Sequence, residues 1–341
     1  MATSNQQNVG AQPAQATVVV CAETAASTAK VIPHAMAVAA ALDAGVLLVH
    51  VIEPQGKFQI PFDPFEWDLR RREAENFVNG LSAEYTTAKK TISTRVLQGR
   101  TGDQICACAL DKPADIAALC RSDIEQSGHI GQTARRIMEQ ATGSILMVPA
   151  TVAEGASINY RRVLVPLDGS ARAESALSFA RRIATSEHAE LVLVHAIPEP
   201  QLTEIGPLEQ EDIELKAHIS SRNKRVGKDY LARIRQTMTG RGLSISTVIL
   251  EGGDARRLLN GSITTEAADI LVLSSHGDSG YADVPSGDVA GYIMANSAVP
   301  VLMVRRPRDP NYASGNGSGH GDGHVFRDVD SKGIRHPNGA P

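Results

Sequence analysis

The sequence predicts an α/β protein of two tandem domains, each a five-stranded parallel sheet flanked by helices, and three observations support this. The chain has 341 residues, long enough for two domains, and 42% of them are hydrophobic, enough for two cores. Five sequence blocks recur in the same order in the two halves. Within each half, short Val, Leu and Ile runs alternate with longer amphipathic stretches, which is typical of strands that cross to helices in a parallel sheet.

The internal repeat keeps its order while its spacing grows slowly. The block VLLVHVIEP around His50 matches LVLVHAIPEP around His195, 145 positions later. The spacing has increased to 156 between Leu146 of ILMV and Leu302 of VLMV. Spacings that only increase indicate a few short insertions in the second copy, which chance similarity between apolar strands would not produce.

The individual elements follow from the hydrophobic pattern. In the second half, the apolar runs predict strands at Arg162–Leu167, Glu190–Ile197, Ser244–Glu251, Asp269–Ser274 and Val301–Arg305, with helices between them. In the first half, apolar residues spaced by three, four or seven predict that the second helix packs through Trp67, Ala74, Val78, Leu81, Tyr85 and Ala88. We expect this face to pack in the core, so Trp67 is not expected to stack on a ligand.

Composition sets the limits of the domains. We predict domains at residues 16–150 and 161–306, joined by a linker at 151–160. Residues 1–15 are small and polar, and residues 307–341 are rich in Gly, Ser, Asn and Asp. Because both ends hold too little apolar surface to fold, we predict that they are disordered.

Charge and composition also exclude several classes of function. A net charge of −4 lacks the basic excess of a nucleic-acid-binding protein. No run approaches the ~20 apolar residues of a bilayer span, and the start resembles no secretory leader. The cysteines form no CxxC pair and have no His at metal-ligand spacing, so we expect buried, reduced thiols and no protein-bound metal at Cys21, Cys106, Cys108 and Cys120. These features predict a soluble, cytoplasmic protein without nucleic-acid or membrane partners.

Two segments of the second half lie where a ligand would bind. In an open parallel sheet, ligands bind beyond the carboxyl ends of the strands, where the strand order reverses. This rule selects PLDGS at 166–170 and the long loop at 274–289. In that loop Gly287 precedes a helical stretch, so backbone N–H groups and the positive end of a helix dipole would face the pocket, as suits a phosphate.

The order of these motifs resembles the universal stress protein family. VLVPLDGS, LVLVHAIPEP, ILEGGD, ADILVLSSHG and PVLMVRR carry the resemblance over about residues 160–306, and residues 16–150 look like a diverged domain of the same kind. The resemblance implies a Rossmann-like fold related to adenine-nucleotide hydrolases. One branch of the family binds ATP through an Asp after the first strand and a Gly-x-x-Gly, nine-residue, Gly-Ser/Thr loop. It implies nucleotide contacts at Pro166, Leu167, Asp168, Ala196, Ser274, His276, Gly277, Gly287 and Asp288.

The second half departs from that loop at two positions. Ser274 stands where the first glycine is expected, and Asp288 replaces the Ser/Thr after Gly287. A carboxylate at a helix start is a good N-cap, but it would repel a triphosphate. We therefore expect poor ATP affinity, with Asp168 accepting from adenine or ribose.

The first half departs further from the pattern. Glu23 holds the acid position, Cys120 and Asp123 replace the first two glycines, and Gln132 follows Gly131. We therefore expect no phosphate binding there, and we expect Cys120 to be a core residue at a strand end.

Catalysis has no named nucleophile or base in this pattern. His50 and His195 lie in apolar strands, where a hydrogen-bonded core imidazole is the expectation. The leading hypothesis is a non-catalytic stress-response regulator whose second domain senses ATP or another adenine nucleotide, with slow hydrolysis left open and no metal beyond nucleotide-bound Mg²⁺. The alternative is a nucleotide-free scaffold that assembles through sheet edges and helix faces.

The last strands, ILMV and VLMV, predict how the domains assemble. An apolar edge strand left open is an aggregation hazard, and pairing removes it. We expect the two last strands to pair within one chain as a pseudo-dimer, and two chains to form a homodimer. A protein partner is also left open.

Overall fold

The computed structural model describes ten segments of the chain. They are residues 16–54, 64–87, 91–108, 115–121, 130–140, 143–155, 158–200, 209–240, 242–276 and 287–305. The predictions of disorder at residues 1–15 and 307–341, and those for Ala88, Asp123 and Gly277, lie outside the described residues.

Strands and helices alternate throughout the described chain. The first half holds β1 (Thr17–Cys21), α1 (Ala25–Ala41), β2 (Gly45–Ile52), α2 (Pro64–Tyr85), β3 (Ile92–Gln98), α3 (Thr101–Cys108), β4 (Ile116–Arg121), α4 (Gln132–Gln140) and β5 (Ser144–Pro149). The second half holds β6 (Arg162–Pro166), α5 (Ala171–Glu174), α6 (Ala176–Glu187), β7 (Glu190–Ile197), α7 (Gln210–Met238), β8 (Ile245–Glu251), α8 (Ala255–Thr265), β9 (Ile270–Ser274), α9 (Asp288–Asn296) and β10 (Val301–Val304). Each predicted strand of the second half is within one residue of the observed one.

All ten strands form one sheet. Its order is β3-β2-β1-β4-β5-β10-β9-β6-β7-β8, so the two halves have the same strand order read from opposite edges. Strands within a half are parallel, whereas β5 and β10 are antiparallel, with Leu146 opposite Leu302. The predicted pairing of the last strands is therefore confirmed, and it leaves β3 and β8 at the edges of the sheet.

The helices cover both faces of the sheet, which explains why the strands are apolar on both sides. The first-face core packs under α1, α2, α6 and α7, and the second-face core under α3, α4, α8 and α9. On α2, the predicted stripe is buried at Ala74, Val78 and Leu81, while Trp67 at its start is half-buried. None of the described helices has the length and apolar character that a bilayer span requires.

The predicted linker at 151–160 contributes to the core at its C-terminal end. Tyr160 is 2% exposed, and its hydroxyl is 2.6 Å from Nδ1 of buried His34 in α1. Burial lowers the pKa of His34 to about 4, because the protonated ring would be desolvated. The described residues belong to one compact unit, and this contact joins its halves.

The cysteines only partly match the prediction of buried thiols. None of the four forms a disulfide; Cys21 and Cys106 are buried, whereas Cys108 and Cys120 are half-buried. Cys120 packs against the first-face core at the end of β4, as expected of a strand-end residue.

Candidate functional site

The strand order creates a crevice in the second half between the carboxyl ends of β6 and β9. The chain runs from β6 to its neighbour β7 on one side, and β9 lies on the other side, so this is the point where the strand order reverses. The pairs between the two strands end at Leu164 and Leu271, before either strand reaches its carboxyl end. The turns after β6 and β9 therefore border a place where a ligand can enter.

The turn after β6 presents the predicted acid. Leu167 is buried and its N–H donates to the carbonyl of Val194 over 2.8 Å, while Pro166 is half-buried. Asp168 is exposed, and its Oδ1 accepts from the backbone N–H and the hydroxyl of Ser170, at 2.9 and 2.7 Å. These bonds orient the carboxyl group within its own turn, because Ser170 also caps α5.

The two equivalent histidines are structural, as predicted. Nδ1 of His195 donates to the carbonyl of Leu167 over 2.7 Å, and Nδ1 of His50 donates to that of Ala22 over the same distance. Each imidazole thus fixes the turn after the first strand of its half. Gly227 in α7 permits the close approach, since a Cβ there would be 2.7 Å from the ring of His195.

The start of α9 borders the other side of the crevice. Ser274 ends β9, the N–H of Ser275 donates to Val304, and the N–H of Gly287 returns to the carbonyl of Ser275 over 2.8 Å. The N-cap of α9 is Gly287, with extended backbone and no side-chain cap, so the interpretation of Asp288 as the N-cap is wrong. The carbonyl of Gly287 accepts the first helical bond, from Gly291, which makes Asp288 the first residue of the helix.

His276 and Ala196 occupy the two flanks of the site. Nδ1 of His276 is 3.0 Å from the hydroxyl of Ser275, a serine–histidine contact that the sequence reasoning missed because the two residues are adjacent. Ser275 is only 6% exposed. Ala196 in β7 is half-buried and packs against the second-face core, on the side of the sheet that carries α9.

A charged cluster beside α9 was also missed by the sequence reasoning. Asp254 caps α8, and its carboxylate is joined to the guanidinium of Arg256 by contacts of 2.7 to 3.2 Å. Hydrogen bonds from Arg256 lower the pKa of Asp254 to about 2. The guanidinium of Arg256 lies 5.9 Å from the ring centre of Tyr292. The pKa of Arg256 is raised, mainly by its hydrogen bonds to Asp254 and to a smaller extent by the negative charge of Asp288. The negative charge of Asp288 therefore lies near enough to Arg256 for the two to attract each other, which weakens the expected repulsion of phosphates by Asp288.

The equivalent place in the first half is occupied by a side chain of the protein. Glu23, after β1, hydrogen-bonds to the side chain of Thr133 in the first turn of α4. Partial desolvation raises the pKa of Glu23, and the negative charge of Glu53 raises it further. The hydrogen bond from Thr133 acts in the opposite direction. Among the residues with described positions, no group of three His, Cys, Asp or Glu is arranged to hold a metal.

The fold and this crevice define a doubly wound α/β protein of the class that binds ligands at the carboxyl edge of its sheet. The model of the universal stress protein family matches residues 159–305. This match covers less than half of the chain and assigns residues 159–305, its second half, to the family.

Relatives and a solved structure agree with this assignment. The universal stress protein MJ0577 of Methanocaldococcus jannaschii is 23% identical over 159 residues, covering 44% of this chain and 98% of the relative. YxiE of Bacillus subtilis is 26% identical over 151 residues, covering 43% and 99%. The crystal structure of a universal stress protein from Archaeoglobus fulgidus covers 86% of this chain and 97% of its own at 14% identity, with a TM-score of 0.59, which shows a shared fold across both halves.

Proposed function

We propose that the chain is a non-catalytic stress-response regulator whose second half senses an adenine nucleotide such as ATP. The observation that carries this proposal is the N-terminus of α9, where the N-cap residue Gly287 supplies no side-chain hydrogen bond, at the crevice where the strand order reverses. Backbone N–H groups at a helix start, together with the helix dipole, favour phosphate. Contacts with Ser275 and His276 do not explain the glycine at position 287, because a Cβ there would lie at least 3.7 Å from their atoms.

In this proposal each wall of the crevice has a role. Asp168 accepts from adenine or ribose, above the turn formed by Pro166 and Leu167. Ala196 packs beside the base, and the triphosphate, with its own Mg²⁺, lies against Gly287. Ser274 ends β9, and His276 follows it two residues later at the same edge of the sheet. Asp288 keeps the affinity modest, because its charge is only partly offset by Arg256.

We also propose that residues 16–150 are a degenerate domain of the same kind, followed by the linker at 151–160 and the nucleotide-binding domain at 161–306. The identical strand order of the halves supports this. The first half is structural in this proposal, since Glu23 already bonds to the start of α4 where a phosphate would lie. Pairing of β5 with β10 makes the chain a pseudo-dimer, and two such chains would form the homodimer.

The test is calorimetric titration with Mg-ATP of the native protein, Asp168→Ala and Glu23→Ala. The two substitutions remove carboxylates from equivalent positions of the two halves. We expect weak binding to the native protein, about tenfold weaker binding to Asp168→Ala, and native affinity in Glu23→Ala. A tenfold loss corresponds to ~1.4 kcal/mol, a usual value for a hydrogen bond to a charged group.

Two results would contradict the proposal. A loss in Glu23→Ala with native affinity in Asp168→Ala would place the nucleotide in the first half. Absence of binding to the native protein would favour the scaffold, and α7 has three half-exposed apolar side chains, Ile213, Leu215 and Val226, that a partner could contact. Release of phosphate from ATP, followed in the same samples, tests the non-catalytic part.

A further inference from the structure

Three arginines join the two halves by the same device. Each donates from its guanidinium to carbonyl groups at the C-terminal end of a helix in the other half. Arg121 of β4 donates to α9, Arg305 after β10 donates to Met138 in α4, and Arg182 of α6 donates to Ala41 in α1. The last carbonyls of a helix have no partner within it, and a cation there also complements the helix dipole.

Arg121 differs from the other two because its helix leads to the candidate site. It is 8% exposed, and its Nη1 donates to the carbonyls of Ser297 and Met294 over 2.9 and 3.3 Å. Helix α9 has nine residues, so its two ends are about 13 Å apart. The end opposite Arg121 is the start at Gly287.

Helix α9 is short, and the described elements that it contacts most are α8 and β10 of its own half. Ala290, Ile293 and Met294 pack in the second-face core, mainly against α8 and β10. Apolar packing fixes the depth of a helix but resists sliding along its axis less well than directed hydrogen bonds at its end. The N–H groups at the start of α9 keep their direction only if the C-terminal end of the helix stays in place.

We propose that Arg121 of the first half is a positioning residue for the nucleotide site of the second half. By holding the C-terminus of α9, it keeps the uncapped N-terminus directed at the phosphates. This inference rests on the proposed function. It implies that the first half, which binds no nucleotide, sets the affinity of the second, and that the nucleotide in turn strengthens the contact between the halves, because such coupling is reciprocal.

The test compares Arg121→Met with Arg305→Met, which removes the matching contact to α4 on the same face of the sheet. Mg-ATP affinity is measured by calorimetry, and hydrogen exchange of the amides of residues 291–294, the first that can form bonds within α9, is measured without nucleotide. We expect Arg121→Met to weaken ATP binding roughly three- to tenfold, a usual range for coupling between sites, and to speed exchange at the start of α9. Arg305→Met should leave both measurements unchanged. Arg121→Lys, which keeps the charge but not the planar fork, should fall between Met and native.

The outcomes separate this inference from the proposed function. Equal effects of Arg121→Met and Arg305→Met would overturn the inference, since loss of general stability would then explain them. Native affinity in folded Arg121→Met would also overturn it. If the native protein binds no ATP, the proposed function fails, and exchange alone decides whether Arg121 holds α9: unchanged exchange in Arg121→Met overturns the inference, and faster exchange confined to that variant supports it. If Arg121→Met does not fold, the same comparison is made with Arg121→Lys.

Discussion

The two halves share a strand order but treat the start of their last helix in opposite ways. In the first half, Glu23 hydrogen-bonds to Thr133 at the start of α4. In the second half, the shorter Asp168 is held by Ser170 in its own turn, and α9 starts at Gly287 without a side-chain cap. In the proposed function these are a closed and an open version of one site, and local side-chain bonds distinguish them.

The comparison depends on the two halves being one rigid body, and Tyr160→Ala breaks that condition most strongly. Removing this buried ring leaves a cavity between the halves and deprives His34 of its hydrogen bond. We expect a loss of about 3–5 kcal/mol in the free energy of unfolding, the usual cost of truncating a buried aromatic side chain. Chemical denaturation measures it.

Tyr160→Phe is the matched control, since it keeps the ring and removes only the hydroxyl. We expect about 1–2 kcal/mol for the lost bond to His34. A loss below 1 kcal/mol in Tyr160→Ala would mean that the halves do not depend on this contact.

Acid should weaken the same contact. The folded pKa of His34 is about 4 and the unfolded value is 6.5, so protonation favours the unfolded chain. The stabilisation that comes from the neutral ring is fully present above pH 6.5 and decreases as the pH falls through 6.5 towards 4. At pH 5 the loss in the free energy of unfolding is about 2 kcal/mol. Denaturation curves at pH 7 and pH 5, compared with His34→Gln, isolate this residue. An equal difference between the two pH values in both proteins would show that other groups cause it.

Asp288→Ser restores a hydroxyl beside the open site and should sharpen the contrast between the halves. We expect ATP to bind about fivefold more tightly, or ~1 kcal/mol, because a negative charge is removed. The gain stays small since Arg256 already offsets part of that charge. In an Arg256→Met background the same change should give a larger gain. Equal gains in both backgrounds would show that Arg256 does not compensate Asp288.

Glu23→Gln tests the closed site and has the smallest expected effect. The folded pKa of Glu23 is raised, so its contribution to stability is full below the unfolded value and is lost as the pH rises through the folded one. Gln stays neutral and can still bond to Thr133. We expect a gain of at most about 0.5 kcal/mol at pH 7 and none at pH 4. A clear loss at pH 7 would show that the carboxylate itself stabilises α4.

The strands of the second half were predictable because buried parallel strands are continuous apolar runs, and Glu190–Ile197 matches β7 at both ends. The places of Asp168 and Gly287 were also predictable, since chain order assigns them to the ends of β6 and the start of α9. The N-cap of α9 was not, because Gly and Asp are both acceptable caps and only the backbone decides between them. Arg256 was missed for a different reason: its partners Asp254, Tyr292 and Asp288 come from two helices that pack together only in the fold.

The sequence by itself determined the two α/β halves, because hydrophobic periodicity and the repeated blocks are local properties of the chain. It also determined which edge of the sheet holds the candidate site. The tertiary structure alone decided that Glu23 bonds to Thr133, that Tyr160 meets His34, and that Arg121 ends on α9. These contacts join residues 110, 126 and 173 positions apart, whose side chains meet only once packing has set the distances between elements. No local pattern encodes a partner so distant along the chain.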